Sequence, residues 1–249
     1  MKKLSCLIVV LTVMTFPTVI MGAELVTNGG FETGDFTGWT VWNEPGSGGD
    51  FYVYSGTTSP SSASIVPAPP EGTYAALTDQ SYDPSNPGPL DGTHIIFQDV
   101  LLPEAALINF SAIVYAENRG PLYINHGLYR GSVASQFMRV DIMKPSASLQ
   151  SQELEDILIN LFITEEGDPL SYPYENLSAN LTPYAGQEIR IRIAQCNNQG
   201  SFQGGVDAVS IETSSSASIP TLSEWGMIIF ALLTVVTALV VLRRRNMSA

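Results

Sequence analysis

From Gln187 to Ile193 the chain reads Gln-Glu-Ile-Arg-Ile-Arg-Ile. A period of two puts the three isoleucines on one face of an extended strand, whereas a helix would scatter them around its axis. The same period governs Ile108, Phe110, Ala112, Val114 and Ala116. It also separates Met138, Val140 and Ile142 from Phe137, Arg139 and Asp141. Phe51–Tyr54, Tyr74–Leu77, Ile95–Val100 and Val206–Ile211 are further short runs of branched or aromatic residues, bounded by Gly, Pro, Asn and Asp. Such runs are strand signals. Ile157–Ile163 joins them, although the acidic stretch before it also suits a short helix. Many short strands without a long helical period predict an all-β sandwich over residues 24–213. Three stretches, Gly46–Gly49, Gly56–Pro70 and Gln80–Gly92, are expected to be rim loops that either carry function or merely connect strands.

The two ends differ in kind from this middle. Lys2 and Lys3 precede an apolar run from Leu4 to Met21 and the small pair Gly22-Ala23. That order predicts a secretory signal peptide over residues 1–23. Pro17 disfavours a retained membrane helix there, and Cys6 lies too early for lipid attachment. Once the peptide is removed Cys196 is the one remaining cysteine, so no internal disulfide is expected. At the other end, residues 214–218 form a Ser-rich linker. Ile219-Pro220-Thr221-Leu222 and Trp225-Gly226 follow, then an uncharged stretch over residues 227–242, then Arg243, Arg244 and Arg245. Counted from Trp225 the uncharged stretch is just long enough to cross about 30 Å of hydrocarbon. The arginines would hold the C-terminus in the cytoplasm.

Motif, span and basic cluster in this order resemble the IPTL-CTERM protein-sorting signal over residues 219–245. The resemblance rests on Ile219, Pro220, Thr221, Leu222, Trp225 and Gly226. It implies export, a single-pass intermediate in the inner membrane held by residues 227–242, and cleavage near the motif by an exosortase-type sorting transpeptidase. The product would pass to the cell surface or the extracellular matrix. Pro220 keeps the motif extended by disfavouring helix at Ile219.

The middle of the chain resembles the galactose-binding-like jelly rolls found among carbohydrate-binding modules. Leu25-Val26-Thr27-Asn28-Gly29-Gly30-Phe31-Glu32 with Gly38-Trp39 is similar to their opening. Ile96-Phe97-Gln98-Asp99-Val100 is similar to a central strand, Leu181–Gln187 to the turn into the penultimate strand, and Val206–Ile211 to the last strand. This resemblance implies a jelly-roll sandwich and a structural Ca2+ ion held by Glu32 and Asp207, with Ala208 standing where the family often has a second acid. It also implies Trp39 in the core. Stacking on sugar rings needs exposed aromatics, for which Trp42, Tyr52, Tyr54, Tyr82, Tyr115, Tyr123 and Tyr129 are the candidates. Alternation puts Tyr52 and Tyr54 on one face, either a platform or the sandwich interior.

Charge narrows the function further. The chain carries Lys+Arg 11 against Asp+Glu 24, a net charge of −13. Five of the basic residues belong to the two ends, so the middle is more acidic still. A chain without a basic patch does not neutralise phosphates, which argues against nucleic acid as a partner. His94 and His126 lie outside any metal or nucleophile pattern, and Cys196 has no neighbouring histidine in sequence. The expectation is therefore a non-enzymatic surface protein with a structural or interaction role. The alternative is a carbohydrate-binding module for envelope glycans or exopolysaccharide.

Overall fold

The structure, a computed structural model, describes residues 22–79, 92–104, 107–124, 128, 134–214 and 222–247. Tyr82, His126, Tyr129 and Ile219–Thr221 lie outside the described residues. Two compact units are present, Met1–Ser215 and Ser216–Ala249.

Among its described residues the first unit holds ten strands and one short 3-10 helix, Thr182–Tyr184. β1 (Thr40–Asn43), β2 (Asp50–Tyr54), β3 (Ala75–Asp79), β4 (Gly92–Leu101) and β5 (Leu107–Asn118) come first. β6 (Gln136–Met143), β7 (Ile157–Ile163), β8 (Ser171–Asn180), β9 (Glu188–Asn197) and β10 (Phe202–Ser214) follow. They form two sheets of five, ordered β1-β4-β9-β6-β7 and β2-β3-β10-β5-β8, with every pairing antiparallel. From β3 onward the chain changes sheet at each step except between β6 and β7. Four strands of one sheet, β3-β10-β5-β8, thus face β4-β9-β6-β7. This is a jelly roll of eight strands, with β2 and β1 added at one edge of each sheet.

Period two places the side chains as expected. Ile189, Ile191 and Ile193 meet Met138, Val140 and Ile142 and, from the other sheet, Ile108, Phe110, Ala112, Val114 and Ala116 in one buried cluster. Ile157–Ile163 is strand and not helix. Two strands escape a reading of the sequence. In β8 only Leu177 is buried; the strand holds Pro173 and is bulged there, between its pairings of Glu175 with Val114 and of Tyr172 with Ala116. Proline is tolerated in a sheet at such an edge. β1 is a four-residue edge strand, too short to show a period.

The outward faces are also covered in part. Val66, from the Gly56–Pro70 stretch, packs on Tyr54, Ala75, Leu77 and Tyr115 outside the second sheet. The carboxylate of Asp79, fully buried at the end of β3, holds this stretch by accepting from Ser59 and Ser62. The loop is therefore a lid on the sheet. Tyr54 sits beneath it and donates to the Pro67 carbonyl at 2.8 Å, so Tyr54 is covered by the lid and lies outside the interior between the sheets. Below the lid, Gly205 lets the Tyr115 ring lie flat on β10, since a Cβ there would fall 1.8 Å from Tyr115 Cε1. Gly205→Ala is expected to cost about 1–3 kcal/mol through overpacking and to lower Tm by several degrees; an unchanged Tm would show that the ring swings aside freely.

The first sheet carries an ionic cluster outside. Arg139 donates to both oxygens of Asp141 at 2.7 Å, and Arg192 Nη2 donates to Asp141 Oδ2 at 2.6 Å. Asn160 adds a bond of 2.8 Å. Arg192 Nη1 reaches across to the carbonyls of Leu149 and Ser151, both at 2.7 Å. The β6–β7 loop is thereby pinned over the polar face of β9, and Arg192 and Asp141 are both fully buried.

In the second unit, α1 spans Leu222–Met247. Thr234 and Thr237 return their hydroxyls to helix carbonyls of the preceding turn. Among the described residues no helix is long and apolar enough to cross a membrane. The uncharged side chains described run from Ile228 to Leu242, where Arg243 begins the basic end.

Candidate functional site: a polar groove beside the β10 bulge

β10 carries one extra residue between Asp207, paired with Ile113, and Ser210, paired with Ser111. Ala208 in this bulge has φ 49°, a left-handed conformation that costs energy for any residue with a side chain. The opening segment explains the distortion. The Gly29 carbonyl accepts from Val209 N–H at 3.0 Å, and a Cβ on Gly29 would lie 1.7 Å from the Val209 carbonyl oxygen. Only glycine permits so close an approach. Asn28, itself at φ 53°, ties the turn together by donating to the carbonyls of Asp35 and Thr37. Phe31 is fully buried against the rings of Phe36 and Trp39, and Trp39 Nε1 donates to the Asn28 carbonyl at 3.1 Å. Trp39 is thus a core residue, as expected.

The two expected calcium ligands both lie next to Gly30. A Cβ there would be 3.7 Å from Glu32 Cγ and 3.8 Å from Asp207 Oδ1. Both acids bind backbone amides of one segment. Glu32 Oε1 accepts from Thr73 at 2.8 Å and Tyr74 at 2.9 Å, while Asp207 Oδ2 accepts from Glu71 at 3.1 Å. Asp207 Oδ1 accepts from Ala208 N–H at 2.7 Å. Burial, helped by the charges of Glu71 and Glu32, pushes the Asp207 carboxyl up to about 6. The pair clamps residues 71–74 onto the opening turn and the last strand. Among the described residues no group of three or more His, Cys, Asp or Glu is placed to hold a metal ion.

Outside this clamp the second sheet has an uncovered half. A hollow of about 370 Å3 lies between Glu24, Gly29, Glu71, Ser210 and Glu212. A second, of about 280 Å3, adjoins it at Glu71, Ser111 and Ala208 and extends to Asn176 and Ser178. The strand register lays short polar residues across the face in rows, Ser210-Ser111-Ser178 and Glu212-Asn109-Asn180. Glu24 shapes one wall, with Oε1 accepting from Val26 and Ile211 amides and Oε2 from Ser210. Tyr174 stands on β8, 42 % exposed, its ring edge-on to Tyr115 and its hydroxyl donating to the Ala68 carbonyl. Hydroxyls and amides there can both donate and accept, and the rim is acidic. Such a surface suits a neutral, hydroxyl-rich ligand and repels an anionic one.

The remaining sequence candidates lie elsewhere. Trp42 packs against a cluster outside the first sheet, Tyr115 is buried under the lid, and Tyr123 pairs with Gln136. Cys196 is buried. Tyr174, Glu71 and the Ser/Asn rows were not foreseen. The alternation of Asn176, Ser178 and Asn180 with Leu177 and Ala179 was the available signal, but it covers five residues behind a polar stretch that holds Pro173, too little to mark a strand.

The C-terminal unit decides the classification of the tail. Residues 217–245 match the IPTL-CTERM motif. The IPTL-CTERM tail implies sorting to the cell surface. No curated protein matches the chain. Among solved structures the chain is similar to the carbohydrate-binding module TmCBM61 in complex with β-1,4-galactotriose, at 15% identity and TM-score 0.44, covering 77% of this chain and 99% of that one. It is also similar to the K3 cleaved adhesin domain of Lys-gingipain from Porphyromonas gingivalis, at 14% identity and TM-score 0.47, covering 78% and 99%. A cyclase from Fischerella sp. TAU is similar at 16% identity and TM-score 0.43, covering 79% and 100%.

Proposed function

We propose that this is an exported cell-surface protein whose sandwich domain is displayed for interaction, without catalysis, by way of its IPTL-CTERM tail. The match at residues 217–245, close behind the last residue of β10, carries the reading. In this reading residues 1–23 are removed on export and residues 214–218 are a spacer. The span over residues 227–242, extended to Trp225, holds an inner-membrane intermediate with Arg243–Arg245 inside. An exosortase-type transpeptidase then cuts near Ile219–Leu222.

A second reading, glycan recognition, is favoured by the uncovered face with its Ser/Asn rows and exposed Tyr174. The full chain, purified in a detergent without a sugar headgroup, is expected to bind neutral glycans saturably on an array. Tyr174→Ala is expected to weaken that binding about tenfold or more, as loss of a stacking aromatic does. Flat signals on every glycan would remove this reading and leave the surface-display reading intact.

Calcium at Glu32 and Asp207 belongs to the same proposal and has its own test. A bound ion, completed by backbone carbonyl oxygens, would raise Tm by several degrees in excess CaCl2 over excess chelator, and Asp207→Asn would abolish the rise. Equal melting in both solutions would leave the two acids with the backbone clamp alone.

A further inference from the structure

His94 is fully buried on β4, and both of its ring nitrogens face oxygen. Nδ1 lies 2.7 Å from Asn43 Oδ1 and Nε2 lies 2.9 Å from the Gly48 carbonyl. The orientation of the Asn43 amide follows from its other contact: Nδ2 donates to Asp50 Oδ1 at 2.8 Å, so Oδ1 is what remains for the histidine. Asp50 Oδ1 also accepts from Phe51 N–H at 2.7 Å, so this oxygen acts as an acceptor towards Asn43 as well. A carbonyl carries no proton. A neutral imidazole has one N–H, yet here two acceptors are presented to it. Turning the Asn43 amide over only moves the conflict, because its oxygen would then face Asp50. Either the network holds one proton more than a neutral histidine and an ionised aspartate supply, or one of its bonds is absent.

The surroundings fix which groups matter. Among the described residues, Asp50 is the charged group acting on His94. Glu44 is the titratable residue of the β1–β2 loop, and its N–H is bound to the Thr93 carbonyl at 2.9 Å. Beside His94 on β9 is Gln195, uncharged, with both side-chain amide atoms buried and without a hydrogen-bond partner. Met138 on β6 follows it in the same row, and Phe51, Thr78 and Gly204 form the corresponding row of the facing sheet; none carries charge. The loop itself is rich in glycine, with Gly46 and Gly49 at φ 81° and 86°, and so has few side chains with which to hold its shape.

We infer that Asp50, Asn43 and His94 form a proton-operated latch on the β1–β2 loop, which is tied down at Gly48 when the ring carries both protons and released there when it carries one. Burial pushes the His94 ring below its ordinary value, against the opposing Gly48 carbonyl and Asp50 charge. The latch therefore closes on acidification, below the usual histidine range. The unfolded chain takes up the proton more readily than the folded one, so overall stability falls as pH drops through that range while the loop tightens. Opposite movement of the two quantities is a signature that an ordinary surface histidine would not give.

The test follows the full chain in neutral micelles by NMR, from about pH 8 to about pH 4.5, a range that spans histidine titration. Ring carbon shifts report His94, and hydrogen exchange, corrected for its intrinsic pH dependence, reports the amides of residues 44–49. A bond to a charged donor being made or lost predicts a change in loop protection of about tenfold or more, at the midpoint of the ring titration. His94→Gln is expected to abolish the pH dependence of loop protection. Asn43→Asp, which sets a second carboxylate against Nδ1–H, is expected to move the midpoint up by about one unit. A ring that stays neutral throughout, loop protection that ignores the ring, or a pH dependence that survives His94→Gln would each overturn the latch.

Discussion

Asp141→Ala is expected to destabilise the sandwich by about 3–5 kcal/mol, the usual consequence of removing one partner from a buried ion cluster. Two guanidinium groups converge on this carboxylate, and Arg192 is fully buried with Asp141 as its main source of compensation. Burial pushes Arg192 below the ordinary arginine value, while Asp141 opposes the shift and Arg139 and Arg190 add to it. Without the carboxylate the two arginines would repel each other in a site closed to water. Domains of this size are stable by only about 5–15 kcal/mol, so much of the margin would go. Urea unfolding gives the measurement. The triple replacement Arg139→Met, Asp141→Leu and Arg192→Met is expected to recover most of the loss, because apolar groups of similar volume need no partner. It would still release the β6–β7 loop, whose carbonyls at Leu149 and Ser151 depend on Arg192. A loss below about 1 kcal/mol for Asp141→Ala would mean that water enters the cluster and screens it.

The second large effect concerns destination. Pro220→Ala combined with Leu222→Ala is expected to leave the protein at full length in the inner membrane, with little or none at the cell surface. The substitutions alter the motif and leave residues 227–242 and the arginines unchanged, so insertion should persist while cleavage fails. Cell fractionation followed by immunoblotting against the sandwich distinguishes the forms by size and place. A shortened product at the surface in the double variant would refute processing at this motif.

How much of this was legible beforehand differs from element to element. The strands β5, β6 and β9 declare themselves through period two because one of their faces is buried between sheets. β7 was ambiguous in sequence, since nearly every residue in it is apolar and periodicity cannot separate strand from buried helix in so short a run. β8 was hard to see for the opposite reason: it is an edge strand with one buried residue, and its alternation is confined to residues 176–180. The opening Asn28–Glu32 and the closing Asp207 were recognisable as a pair, and they do meet at Gly30. What they hold, the backbone of residues 71–74, leads into β3 and carries no sign of this contact in its sequence.

Local periodicity and the ordered tail could be read from the chain alone because each is written in neighbouring residues: alternation is a property of a strand, and the sorting signal is contiguous. The groove, the lid over Tyr115, the Asp141 cluster and the His94 latch depend on residues tens of positions apart, joined by a strand order that no short stretch encodes. The polar side of β9 shows the difference best. Arg190 and Arg192 alternate with isoleucines as solvent-facing residues would, yet Arg192 is buried. Only the tertiary structure decides this, because the β6–β7 loop folds back over it and supplies carbonyl oxygens where water would otherwise stand.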